Sequence, residues 1–255
     1  MSSLIQPQET LNAAQAGVVS REGATLTTRT LNQAAGVAEG LFLGPSGTAG
    51  QECASPTTEA LVRAGVGFSI FRPMSEDFDS THHYADNEAV ALLENGHMHV
   101  LCEQTCVADK PVYIRVTSDG GSNLVLGKVR ADSDYPAGGI VITPTAPVQG
   151  LATYFSITLN DGTHTEKFTY LSDTSATAGE ISAALVAQID QSANFAATGT
   201  VTISITSTSG IVEITDITDT LVVSTPARAF RLPGCFFDAS RTGAGLVEIR
   251  RNKIN

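Results

Sequence analysis

The chain has 255 residues, of which 42% are hydrophobic, 16% charged and 6% aromatic, with no tryptophan and a formal net charge of −11. Folded proteins carry about 25% charged residues, so polarity here rests on Thr, Ser, Asn and Gly, a composition of turn-rich β-structure rather than of coiled coils or collagen. The acidic balance argues against a general nucleic-acid binder, which needs clustered Lys and Arg. No apolar window approaches the ~18 residues of a membrane span, and the N-terminus lacks the basic and apolar regions of a signal peptide.

Residues 1–35 are rich in Gln, Asn, Thr, Ser and Ala, and read as a loosely attached N-terminal arm. Gly40 to Gly44 is a short strand stopped by Gly44-Pro45-Ser46-Gly47. Ala60 to Phe71 reads as a strand interrupted at Gly65 and Gly67. Beyond a polar stretch from Ser75 to Tyr84, Glu88–Leu93 and His97–Val100 are two apolar runs. Between them Glu94-Asn95-Gly96 predicts a tight turn, and Cys102 to Val107 prolongs the second run. Pro111 to Val116 alternates apolar Val112, Ile114 and Val116 with Tyr113 and Arg115, and Leu124 to Val129 is a further strand. Short strands repeated between turn signals predict a sandwich or barrel.

Residues 141–226 have another texture, with one basic side chain (Lys167) against eight acidic ones. Tyr154–Leu159 and Thr165–Leu171 form a hairpin across Asn160-Asp161-Gly162-Thr163. Thr177-Ala-Gly-Glu180 is a capping box, and Ile181, Ala184, Leu185 and Ile189 follow at helical spacing. Val201–Ile205 and Ile211–Ile214 are alternating strands, with Leu221–Val223 as one more. The order of hairpin, helix and hairpin predicts a small α+β domain. After it the β texture returns in Phe230–Phe237 and Leu246–Ile249. The expected organisation is therefore a mainly β protein in three parts. These are an arm (1–35), a Gly-rich β-barrel or sandwich built from 36–140 with 227–255, and an acidic α+β domain (141–226) inserted in one of its loops.

The search for chemistry is largely negative. No P-loop, GxGxxG, HExxH or GxSxG motif occurs. Cys53, Cys102, Cys106 and Cys235 read as reduced, packed thiols, because Cys102-x-x-x-Cys106 lacks the second pair of a structural zinc site. Asp77, Asp79, His82 and His83 sketch a divalent-metal set, but adjacent histidines on a strand face opposite ways, and a solvated loop is the simpler reading. His97 and His99 read as a pair on one sheet face. The expectation is no enzyme, no cofactor and no metal. Residues 227–255 carry six basic and two acidic side chains. Arg228, Arg231, Arg250 and Arg251 are thus candidates for docking on an acidic partner, or else charges that protect a sheet edge.

Three stretches carry a family resemblance: Gly36–Gly44; the run from Gly67-Phe-Ser-Ile70 through Tyr84, Asn87–Leu93, Gly96–Val100 and Lys110–Arg115; and Phe237-Asp-Ala-Ser with Gly245-Leu-Val-Glu-Ile249. Together they resemble the structural cement, or capsid decoration, proteins of tailed bacteriophages. The helix Thr177–Leu185 is similar to one in small domains of phage structural proteins. The resemblance implies a protein made in the bacterial cytoplasm that binds the outer surface of the major capsid protein lattice and holds the head against the pressure of its DNA. It also implies a homo-oligomer, a trimer before a dimer. The inserted domain would project outward, and Arg228, Arg231, Arg250 and Arg251 would face the capsid. Two other readings stand beside it, a tail or baseplate structural protein and a glycan-binding adhesin-like module.

Overall fold

The computed structural model describes residues 16–252 apart from 22, 48–50, 72–82, 119–124, 136–138, 146–150, 210, 211 and 226. The chain divides into two compact units, Met1–Ala131 with Ala229–Asn255, and Asp132–Arg228. The protein is mainly β.

In the first unit the strands before the division are β1 (Thr25–Leu31), β2 (Val37–Ala38), β3 (Phe42–Ser46), β4 (Glu52–Ala54), β5 (Gly67–Ser69), β6 (His83–Tyr84), β7 (Ala89–Cys102), β8 (Pro111–Arg115) and β9 (Val129–Arg130). A short helix, α1, covers Glu59–Arg63. In the second unit come β10 (Ile140–Pro144), β11 (Tyr154–Asn160), β12 (Thr165–Leu171), helix α2 (Ala178–Ile189), β13 (Phe195–Thr198), β14 (Ile203–Ser207), β15 (Glu213–Ile217) and β16 (Leu221–Val223). The chain then returns to the first unit with β17 (Ala229–Phe237) and β18 (Gly245–Arg251).

The first unit is organised by β7, whose 14 residues serve two closed rings. Its first half closes the ring β1-β4-β3-β5-β7, with β1 antiparallel to it from Thr30↔Ala89 to Thr25↔Asn95. Its second half closes the five-strand barrel β7-β18-β17-β8-β9, with β18 alongside from Arg251↔Gly96 to Gly245↔Cys102. The turn expected at Glu94-Asn95-Gly96 is therefore a bend inside one strand. Thr25 faces Asn95 but Leu26 faces Leu93, which leaves Glu94 as the extra residue of a bulge. Gly96 takes φ +126. A Cβ there would stand 3.1 Å from the Cα and Cβ of Ala24, so the bend requires glycine. Asn-Gly marks a change of backbone direction, but a cross-strand partner on both flanks keeps the strand going.

Alternation along β7 sorts the side chains. Met98, Val100 and Cys102 are buried in the barrel with Val112, Ile114, Val129, Leu232, Phe237, Val247 and Ile249. The neighbouring ring buries Leu31, Leu43, Val90, Leu92 and Tyr84. Burying a side chain of this size stabilises by roughly 1.5–3 kcal/mol, so these two clusters are the main source of order in the unit.

The segment expected as a loose arm is tied down from Gly17 onward. Gly17 N donates to His99 O (2.7 Å), His99 N to Val18 O (2.9 Å) and Ser20 N to His97 O (3.0 Å), and β1 continues along the same edge. Of the β1 side chains only Leu31 is buried. Backbone bonds rather than apolar pattern hold the strand, which is why its composition read as unattached. Residues 1–15 lie outside the described residues.

The strand expected over Ala60–Phe71 is instead helix α1 followed by β5. Thr58 caps the helix by accepting the amide of Leu61 (3.3 Å), and Glu59 pairs with Arg63 one turn on (2.6 Å). Those local helix signals outweigh the β-branched run that follows them.

The second unit holds the sheets β13-β14-β10-β16 and β12-β11-β15. Its hairpin turn is set by Asp161, whose Oδ1 accepts the amides of Thr163 (2.8 Å) and His164 (2.6 Å). The capping box of α2 forms as the sequence predicts, Thr177 N donating to Glu180 Oε2 (2.7 Å) while Thr177 Oγ1 accepts Glu180 N (3.3 Å). Ile181, Leu185 and Ile189 pack from the helix onto Phe155, Ile157, Phe195 and Ile205. The C-terminal end of α2 then covers both border strands: Gln188 Oε1 accepts Thr169 N of β12 (3.2 Å), and Asp190 Oδ1 accepts Ala197 N of β13 (2.8 Å). Strands β10 and β13 had no counterpart in the expected pattern, and the compact unit begins at Asp132, before the expected boundary.

Candidate docking surface

The outward face of β7 and β18 pairs His97 with Arg250, His99 with Glu248 and Leu101 with Leu246. Just after β17, Asp238 joins them, its amide donating to Glu248 O (2.8 Å). A polar network results. His97 Nδ1 lies 2.6 Å from Asp238 Oδ2, and Arg250 donates to Asp238 Oδ1 (2.9 Å) and Asp109 Oδ1 (2.6 Å). From the N-terminal segment, Arg21 Nη2 stands 3.2 Å from both Asp238 Oδ2 and Glu248 Oε2, and Ser20 Oγ donates to Glu248 Oε1 (2.5 Å). The Arg250 guanidinium also lies 5.6 Å from the centre of the Phe236 ring. Hydrogen bonds to Asp109 first, and to Asp238 after it, raise the pKa of Arg250 and hold it charged.

The four candidate arginines therefore separate. Arg231 is exposed on β17. Arg228 is half-buried, its amide bound to Ser133 O (3.2 Å) at the boundary of the second unit. Arg250 is committed to its two carboxylates. Arg251 does not stand on the surface at all. It is 2% exposed, donates to Val66 O, Leu93 O and Gly65 O (3.1, 3.2 and 3.1 Å), and lies 5.3 Å over the Phe42 ring. Alternation explains the split: successive residues of β18 face opposite sides of the barrel wall, so Arg250 points out and Arg251 in.

A second charged group is internal. The Glu103 carboxylate, 1% exposed, accepts from Arg115 Nε (2.8 Å) and Nη2 (2.8 Å) and from Arg130 Nη1 (2.9 Å). It joins the strand ends of β8 and β9 to the residue after β7, a structural role for three charges that would be costly to bury unpaired. Sequence alternation placed Arg115 on the outward face of its strand; the Glu103 partner, outside any regular element, gave no signal.

All four cysteines are free and buried, as expected. Burial raises the thiols of Cys102 and Cys235 to about 12 and that of Cys53 to about 11. Such groups are poor nucleophiles. The metal set sketched from Asp77, Asp79, His82 and His83 lies outside the described residues, except for the backbone of His83, which pairs with Ala38. His97, Asp238 and Glu248 do bring metal-type donor atoms within 4.8 Å of one another. Arg21 and Arg250 already neutralise those carboxylates, so the arrangement works as an ion-pair network.

An open groove of about 530 Å³ is lined by Val37, Ala38, Leu41, Val125 and Leu126, with Gln33, Ser55 and Thr57 at its edge. Among the described residues no acid, base or thiol lines it. Among the described residues, the first unit offers a closed barrel wall that carries a charged network on its outer face.

No curated protein matches the sequence. The family model described as structural cement protein (E217 gp24/Pam3 gp6) matches residues 5–252, nearly the whole chain. With this match over nearly the whole chain and its closed five-strand barrel, the chain belongs to the structural cement proteins.

Proposed function

We propose that this protein binds the outer surface of a phage head, on the lattice of the major capsid protein, and stabilises that shell against the pressure of packaged DNA. The observation that carries the reading is the family match over both the barrel and the inserted unit. The barrel of β7, β18, β17, β8 and β9 supplies the docking wall. Of the four candidate arginines Arg231 is the exposed one; Arg228 is half-buried, Arg250 holds the wall's own carboxylates in place, and Arg251 belongs to the interior. The acidic unit Asp132–Arg228 is the outward projection. Copies act as a symmetric oligomer, a trimer before a dimer, which multiplies a small contact per protomer.

Adding the purified protein to shells of its phage that lack it tests the reading. Bound protein and a higher rupture temperature are expected. A shell that neither binds it nor gains resistance would overturn the proposal, and cryo-EM finding the protein in the tail or baseplate would redirect it.

A further inference from the structure

Among the described residues of the second unit, the large apolar side chains exposed are Leu151, Tyr154, Leu171, Val201 and Val222, each at least half exposed. Single exposed residues of this kind need no explanation, but these are gathered. The chain enters and leaves the unit near Ser133 and Arg228, which are bonded to each other. Strand β10 runs away from that end to Pro144, which faces Leu221. Thr145 N donates to Thr220 O (2.8 Å), and Thr220 Oγ1 to Tyr154 O (3.3 Å). Tyr154 in turn faces Leu171 across the β11–β12 ladder. Val201 lies in the turn between β13 and β14, where Thr198 faces Ser204 at the same far end. Tyr154, Leu171 and Val201 thus sit at the end remote from the connections; Leu151 stands three residues before Tyr154 in the chain, and Val222, facing Thr143, is one residue from the Pro144–Leu221 pair.

The charges there are of one sign. The turns 172–180 and 218–220 carry Asp173, Glu180 and Asp219, all exposed, and no Lys or Arg. An apolar centre with a charged rim is the anatomy of a protein–protein contact, and tyrosine is a frequent anchor in one. The carboxylate rim decides the occupant. Two such ends would set acid against acid, and a polyanionic polysaccharide or lipid surface would meet the same repulsion.

We propose that this far end is a second binding face, taking a protein surface whose apolar side chains are ringed by lysine or arginine, on a neighbouring subunit of the shell. The inference rests on the shell-docking reading above and turns the projection into a second grip.

The test uses the full chain and shells lacking it. Tyr154→Ser combined with Leu171→Ser, and separately Asp173→Lys combined with Asp219→Lys, are each expected to weaken shell binding about tenfold or more through lost avidity. All four side chains are exposed, and thermal melts that match the parent exclude misfolding as the cause; because Asp173 Oδ1 accepts the Ser175 amide (2.8 Å), Asp219→Lys alone is the charge variant to use if the double one melts lower. Unchanged binding by both variants, with the parent still bound, would overturn this inference and leave shell docking intact. No binding by the parent would bring down the docking reading and this inference with it. A change in the free protein's oligomeric state in either variant would assign the face to a second copy, and parent binding to anionic lipopolysaccharide vesicles, lost in the variants, would assign it to a cell surface; either result overturns the proposal.

Discussion

Arg251 and Phe42 join the two rings of the first unit: the guanidinium of the last β18 residue lies 5.3 Å over a ring carried by β3, while its nitrogens hold the carbonyls of Gly65, Val66 and Leu93. Burial lowers the pKa of Arg251, yet the fork of donors fits the three carbonyls as no other side chain would. Arg251→Met keeps the apolar stem and removes the donors. It should cost about 3 kcal/mol in urea denaturation of the whole protein, and Arg251→Lys should recover only part of that.

Gly96 tests the bend in the shared strand. Gly96→Ala forces a side chain into positive φ and against Ala24. The expected loss is about 2 kcal/mol, visible as a lower denaturation midpoint. A neutral result would show that this position neither holds a positive φ nor packs against Ala24.

In the second unit, Thr177→Ala removes the hydroxyl that accepts Glu180 N. About 1 kcal/mol should go from that unit's stability, seen in calorimetry as a shift of its transition with the barrel's transition in place.

Asp161 makes the same unit sensitive to acid. Burial pushes its carboxyl up, but the amides of His164 and Thr163 and the His164 ring outweigh this, so the net shift is downward. A carboxylate with a lowered folded value adds stability above its unfolded value, about 4, and loses it as pH falls through the folded value. Asp161→Asn should therefore destabilise by a constant amount from pH 7 down to about 4, with the difference from the parent closing below that. Parallel melting curves at every pH would contradict it.

The thiols give a simple measure of packing. With Cys53, Cys102 and Cys235 raised to about 11, 12 and 12 by burial, and Cys106 raised as well, a disulfide reagent at pH 8 should find no fast-reacting group in the folded protein. All four should react once denaturant is added. Early release of one equivalent would mean local opening near that cysteine.

For docking, Arg231→Glu should weaken attachment to shells about tenfold at low salt, and the penalty should fade as salt rises. The same reversal at Arg250 also breaks its bonds to Asp109 and Asp238, so it should lower stability as well as binding.

The helix of the inserted unit was legible down to its capping box, because Thr177, Glu180 and the apolar stripe are local signals. So was the hairpin at Asp161-Gly162; the alternation of Pro111–Val116 marked a strand but not its faces, because Tyr113 and Arg115 are buried along with Val112 and Ile114. What escaped depended on distant partners. Nothing local to Thr25–Leu31 says that its amides bond to β7, nor does Asn95-Gly96 reveal that strands lie on both sides of it. The arginines show the same limit. Alternation on β18 separates Arg250 from Arg251, but which of the two faces inward is settled only by Phe42 and three carbonyls from another part of the chain. The Arg21–Asp238–Glu248 contacts join segments more than 200 residues apart, and no spacing rule reaches that far.

The sharing of β7 has a mechanical meaning. Tension across the first unit does not meet a seam of side chains that could slip, because both rings hang on one covalent backbone. Prising them apart requires unzipping hydrogen-bond ladders on both flanks of that strand at once. In the proposed role on a pressurised shell, such a load path would put the weakest link at the attachment to the shell and not inside the protein.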